Sequence, residues 1–355
     1  MRAYSIAVLS CLLLGSFAAA ADRPRGKLLV ENIGTLLLIA PEGAQTLVAK
    51  QSIAGVLSPD GKYLAFITGV WPPQPAAREQ KLVVKALPAG PESEITKLPV
   101  GSSFQHLEWM PDGRAIAYDA IVQGSDDLYI VPVLPAPGQP RKLGEWYQGI
   151  SVSPDGARMV HAVNRPEPGL EAVELASGKR TMIHRTKGIV WDARYSPGGK
   201  YIAYIMTIRN PPVTKEEEPD CTPPTLGLWI YSFAEHNFAQ VVIRTAPTDW
   251  DDVKSFAWSP DGRRIAVTLG TTDCDDPGTG AGVFLTDVEQ KQQLRISTSI
   301  LSVQPAFSAD GTAVAFVDVS ESRSKLMLYE IGSRSLRLLS QASDQANYYT
   351  LLDWR

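Results

Sequence analysis

Apolar positions recur at every second residue along most of this chain, and six short turn signals break them into units. The signals are "SPDG" at 58–61, "MPDG" at 110–113, "SPDG" at 153–156, "SPGG" at 196–199, "SPDG" at 259–262 and "SADG" at 308–311. Leu57, Trp109, Val152, Tyr195, Trp258 and Phe307 stand immediately before them. Two positions earlier come Gly55, Leu107, Ile150, Ala193, Phe256 and Pro305, which is mostly the period of a strand with one buried face. After the turn, runs such as "LAF", "IAY" and "VAF" predict a second strand buried on both faces. Proline presets the turn, aspartate can bond nearby backbone and glycine accepts the left-handed conformation, so each signal predicts a hairpin. Segments such as "KLVVKAL" and "EITKLPV", or "DLYIVPV" and "PRKLG", supply a third and a fourth strand. Four-stranded units spaced 43 to 63 residues apart predict the blades of an all-β propeller.

The two ends of the chain complete one another. "YYTLLDWR" closes the sequence with Leu352 and Trp354 in the columns of Leu107 and Trp109, and it stops where a turn should begin. "PRGK" at 24–27 supplies that turn, and "KLLVENI", "TLLLIA" and "QTLVA" read as the three strands after it. A final blade built from a C-terminal strand (347–354) and N-terminal strands (27–49) makes seven blades and pairs the open edges of the ring.

The S-P-D-G turns with their preceding aromatics and following "IAY" or "VAF" resemble the WD-like propeller repeats of the TolB family, across essentially the whole chain after residue 20. That family places an α/β domain before six blades; the repeats here predict one blade more and leave no room for the added domain. Similar repeats occur in prolyl oligopeptidase-like and oligogalacturonate lyase-like propellers. The resemblance implies a binding scaffold for a protein, peptide or envelope component.

Composition adds a compartment. Residues 1–20 carry Arg2, an apolar run and Ala18-Ala19-Ala20, the layout of a cleavable secretory signal, so the expected domain is 21–355 in the periplasm. An uncleaved anchor, or lipidation at Cys11, is the alternative; after cleavage no membrane span is expected. A formal charge of −4 gives no broad basic surface for nucleic acid. A monomer is expected.

Chemistry is expected on the face opposite the S-P-D-G turns, called the upper face below, and in the central channel. Cys221 and Cys274 fall in equivalent upper loops of adjacent units and are expected to pair in an oxidising compartment. In the loop-entropy model a bridge over about 50 residues contributes roughly 4 kcal/mol. Glu216, Glu217, Glu218, Asp220, Asp249, Asp251, Asp252, Asp273, Asp275 and Asp276 crowd the same sector, offset in part by Lys215 and Lys254. They suit a divalent cation or a basic partner, or are solvated loops; no other cofactor is expected. Trp71, Trp146, Tyr147 and Trp250 are candidate ligand-stacking rings that can equally pack their own loops. His106, Glu108, Asp192, Arg194, Gln304 and Asp353 fall at alternate inner-strand positions and are expected to line the channel, as a site or as a structural network.

Enzymatic signals are weak. The sequence has no G-x-S-x-G elbow and no phosphate-binding glycine loop, and its four histidines are scattered, with His161 expected in the core. The expected role is therefore non-catalytic binding, with a cation-assisted carbohydrate-active enzyme or sugar-binding propeller as the alternative.

Overall fold

The structure is a computed structural model that describes residues 24–69, 79–145, 148–164, 166–209, 225–241, 252–270, 280–299, 301–319, 323–342 and 349–355. It is a seven-bladed β-propeller in which every blade is a four-stranded antiparallel sheet. Blade 1 spans 52–98, blade 2 spans 103–145, blade 3 spans 148–185, blade 4 spans 190–240, blade 5 spans 252–295 and blade 6 spans 302–341. Blade 7 takes its innermost strand from Tyr349–Trp354 and the other three from Leu28–Asn32, Thr35–Ile39 and Gln45–Lys50.

The turn chemistry behaves as the residues require. In blade 1 the Ser58 hydroxyl donates to Asp60 Oδ1 at 2.7 Å, and that same oxygen accepts the Lys62 N–H at 3.1 Å. Gly61 takes φ of 68°, a value a side chain resists. The same serine-to-aspartate bond recurs at Ser153, Ser259 and Ser308. At 196–199 glycine replaces aspartate, and Ser196 Oγ still accepts the Tyr201 N–H at 3.0 Å.

Burial follows from blades that pack face to face around a ring. Along the second strand of blade 1, Leu64 and Phe66 join the apolar cluster shared with blade 7, while Ala65 and Ile67 join the one shared with blade 2. Successive side chains of a strand point to opposite faces, so a strand between two neighbours is apolar throughout. Seven such clusters fill the seven junctions. The core is thus a ring of interfaces, and no blade buries its faces alone.

Closure is made by backbone and side chains together. Leu28 pairs with Trp354 and Asn32 with Tyr349. The Lys27 N–H donates to the Arg355 carbonyl at 2.6 Å. Gly26 has φ of 97°, and a Cβ there would lie 2.4 Å from the Arg355 oxygen, so the glycine of "PRGK" is what lets the ends meet.

Among the described residues no helix is long and apolar enough to cross a membrane. Residues 1–20, Cys221, Cys274, Trp71, Trp146, Tyr147, Trp250, Asp251, Asp275 and Asp276 lie outside the described residues. So do Lys215, Glu216, Glu217, Glu218, Asp220, Asp249 and Asp273.

Candidate functional site

The innermost strand of each blade has a hydrogen-bonded neighbour on one side only, so its axial edge carries backbone groups without a sheet partner. Side chains at the polar positions supply partners. Glu108 Oε2 accepts the Val152 N–H at 2.9 Å, joining blades 2 and 3, and Ser151 Oγ accepts the Tyr195 N–H at 3.2 Å, joining blades 3 and 4. Arg194 Nη1 donates to the Phe256 carbonyl at 3.1 Å, and Trp258 Nε1 donates back to the Arg194 carbonyl at 3.3 Å. Gln304 Oε1 accepts from Leu351 at 3.0 Å, Asp353 Oδ2 from Leu57 at 3.2 Å, and the Val56 carbonyl from Trp109 Nε1 at 3.3 Å. Six of the seven junctions are bridged this way among the described residues.

The same ring carries charge into the channel. Arg194 is held by Asp192, with Nη2 at 2.9 Å from Oδ2 and Nε at 3.4 Å from Oδ1, and it lies 5.0 Å over the Phe256 ring. Three of its five N–H groups are engaged, and its side chain is 47% exposed. Glu108 is half-buried on the innermost strand of blade 2, and desolvation pushes its carboxyl up to about 8, opposed by the Val152 bond and the charges of Arg194 and Arg355.

His106 is the oriented member. Its Nδ1 lies 3.1 Å from each carboxylate oxygen of Asp119, a side chain 1% exposed, and its own backbone N–H donates to Asp119 Oδ1 at 2.9 Å. A carboxylate only accepts, so Nδ1 carries the proton and Nε2 faces outward on a ring 57% exposed. The Asp119 bond raises the imidazole above its ordinary value against the cost of burial, with the Asp192 charge adding to the rise and the Arg194 charge opposing it. Asp126, on the same face of blade 2, has a buried Oδ1 without a hydrogen-bond partner, and burial raises its carboxyl to about 6.

Backbone irregularities aim these groups. The pairing of first and second strands slips between Phe104 and His106 in blade 2 and between Val190 and Asp192 in blade 4. Each slip is a β-bulge, which adds a residue and turns the strand. It sets His106 opposite Asp119, and in blade 4 it leaves Trp191 51% exposed with Nε1 donating to Thr207 Oγ1 at 3.2 Å. Val100, Ile121, Ile189 and Trp191 are exposed large apolar side chains at the upper ends of blades 1 to 4; Leu47, Phe238, Leu294 and Leu338 are on outermost strands.

Five of the channel residues expected from sequence, His106, Glu108, Asp192, Arg194 and Asp353, lie on the innermost strands, as does Gln304. Asp252, expected in a loop, is instead the first residue of blade 5's innermost strand, opposite Gly270, because the alternating pattern of "DVKSFAW" extends pairing to it. Sequence reasoning missed Asp119, Asp126 and Trp191. The signal for Asp119 was present: "AIAYDAIV" places a carboxylate in a strand otherwise apolar on both faces.

His161 is fully buried, with Nδ1 3.1 Å from the Ala162 carbonyl and Nε2 3.0 Å from Glu171, which also accepts from Arg180 at 2.6 Å. Burial pushes the ring below its ordinary value. A depressed histidine pKa means the unfolded chain takes the proton first, so its contribution is present above about pH 6.5 and lost as pH falls through that value. His161→Phe, which leaves Glu171 on Arg180, should show a smaller drop in Tm between about pH 7 and 5 than the parent. An unchanged drop would remove His161 as its source; His161→Leu guards against overpacking by the larger ring.

Fold and channel together define a seven-bladed β-propeller with a charged axial lumen. No family model matches the chain, and no curated protein sequence matches it. Among solved structures it is similar to TolB from Acinetobacter baumannii, at 18% identity and a TM-score of 0.54 over 84% of this chain and 65% of that one. It is also similar to a putative TolB from Agrobacterium tumefaciens, at 14% identity and a TM-score of 0.51 over 93% of this chain and 99% of that one. A third is oligogalacturonate lyase from Vibrio parahaemolyticus, at 13% identity and a TM-score of 0.59 over 90% and 87%. At these identities the likeness is one of fold.

Proposed function

We propose that the protein is a non-catalytic binding propeller of the periplasm that recognises a protein or peptide of the cell envelope across its upper face. The observation that carries this reading is Trp191, an aromatic side chain 51% exposed beside the mouth of the polar channel, with its ring fixed by the bond to Thr207. Rigid, half-exposed rings supply contact area with little ordering cost, and such residues dominate interface energetics. Apolar Ile189 two residues away widens the contact. The signal-like residues 1–20 support the compartment.

A second reading, a sugar-binding or carbohydrate-active propeller, draws on the same tryptophan as a stacking surface and on the fold shared with oligogalacturonate lyase. A photo-reactive amino acid at position 191 separates the two. Cross-linking in the envelope should capture a protein, and the purified partner should bind the Trp191→Ala variant at least about tenfold more weakly. Leu294→Ala, on an outer strand, should bind like the parent. Equal affinity for both variants, or capture of glycan alone, would overturn the protein-partner reading.

A further inference from the structure

Blades 5 and 6 enclose a cavity of about 300 Å³ on the face that carries the S-P-D-G turns, with Arg264, Leu285, Asp287, Gln290, Gln292 and Arg334 in its lining. Arg264 opens the second strand of blade 5 and stands opposite Asp287 on the third. Gln290 and Gln292 belong to the hairpin that joins the third strand to the fourth. Arg334 comes from the equivalent hairpin of blade 6, whose flanking residues Ile331 and Leu336 pack on the same apolar cluster as Leu285. The two blades therefore meet directly beneath the cavity.

The blade 5 hairpin is fixed by its own bonds. Asp287 Oδ1 accepts the N–H groups of Glu289 at 3.1 Å and Gln290 at 2.8 Å, the Lys291 N–H donates to the Asp287 carbonyl at 2.9 Å, and the Val288 N–H donates to the Arg263 carbonyl at 2.9 Å. The side-chain donors, in contrast, are unspent. Among the described residues neither guanidinium makes an ion pair or a hydrogen bond, and neither do the side-chain amides of Gln290 and Gln292. Arg264 is half-buried, where a charge gains more from a counter-ion than it does in open water.

We propose that this cavity binds a phosphate group, held by Arg264 from blade 5 and Arg334 from blade 6, with the Gln290 and Gln292 amides donating beside them. Charge favours the guest, since two guanidinium groups face one carboxylate in the lining. The carboxylates beside Arg264 are those of Asp261 and Asp287, and each spends an oxygen on groups of its own turn. Donors that arrive from two blades suit the three terminal oxygens of a phosphate better than the two coplanar oxygens of a carboxylate, which a single arginine fork can satisfy. The volume is at the lower end of the range for ligand sites, so it takes one headgroup and leaves the rest of an esterified molecule outside. Free phosphate and a phosphate ester of a sugar or lipid headgroup share this chemistry. The site does not involve Trp191, so it stands or falls apart from the protein-partner reading.

The test is calorimetric titration of the full chain at low ionic strength with glycerol 3-phosphate, inorganic phosphate and acetate. Saturable binding of a phosphate is expected, with acetate at least about tenfold weaker. Arg264→Gln and Arg334→Gln should each weaken phosphate binding at least about tenfold, with far-UV circular dichroism and Tm as in the parent. Arg295→Gln, on the outermost strand of blade 5 and outside the lining, should bind like the parent. If one lining variant does not fold, the other decides. Tighter binding of the ester assigns the site to a headgroup and tighter binding of inorganic phosphate assigns it to the free ion; both keep the phosphate site. Absence of saturable binding with either phosphate, equal binding of acetate, or parental affinity in a folded Arg264 or Arg334 variant would overturn the proposal.

Discussion

A chain lacking residues 349–355 will not reach a cooperative fold. Those residues supply the innermost strand of blade 7, and with it Tyr349, Leu351 and Trp354, which are 5%, 7% and 3% exposed. Removing one large buried side chain typically costs about 3–5 kcal/mol, and three together rival the roughly 5–15 kcal/mol that holds a whole domain folded. The loss does not end there. Without the strand, Leu28–Asn32 keeps a partner on one side only, and the junctions on both sides of blade 7 lose packing. The apolar faces exposed in this way favour aggregation. The expected outcome is an insoluble chain, or a soluble one with no sharp thermal transition by circular dichroism. Gly26→Val should reproduce part of this defect, since its Cβ would meet the Arg355 carbonyl at 2.4 Å. A truncated chain that melts cooperatively near the parent Tm would show that six blades suffice.

The second large effect concerns Asp119, whose carboxylate holds both the ring and the backbone N–H of His106. Asp119→Asn keeps the volume and removes the charge. His106 is raised above its ordinary value in the folded state chiefly by this hydrogen bond. A raised pKa contributes stability that is fully present below the unfolded value of about 6.5 and is lost as pH rises through the folded value. The variant should therefore lose about 1–3 kcal/mol near pH 5.5 and clearly less near pH 9. Its His106 titration should move down. Equal losses at both pH values, with an unmoved His106 midpoint, would mean that Asp119 acts through packing alone. His161 carries the opposite sign, since its buried ring makes acid unfavourable. Single variants at 106 and 161 should bend the pH profile in opposite directions.

How much of this was legible can be judged from particular residues. Blade boundaries were, because the turns are local: a serine, a proline, an aspartate and a glycine fold on themselves wherever they stand. "TLLLIA" and "QTLVA" read as third and fourth strands of the closing blade, where Thr35–Ile39 and Gln45–Lys50 are found. The channel was legible as a set of alternate polar positions but not as a set of contacts. Glu108 meets Val152 at a sequence separation of 44, and Asp353 meets Leu57 at 296. The exposure of Trp191 depends on its being the extra residue of a bulge between Val190 and Asp192, and the place of that bulge is set by pairing with the second strand.

The chain's own order of residues determined the number of blades, their four-strand composition and the shared seventh blade, since each depends on turn chemistry and a two-residue period that act over a few neighbours. Only the tertiary structure decided which polar groups bond from one blade to the next around the axis and that Trp191 reaches solvent. Those outcomes depend on the slip of one strand against the next and on how blades distant in sequence converge on an axis. Side-chain direction within a blade is a local property, whereas the lumen comes into being only when the ring closes.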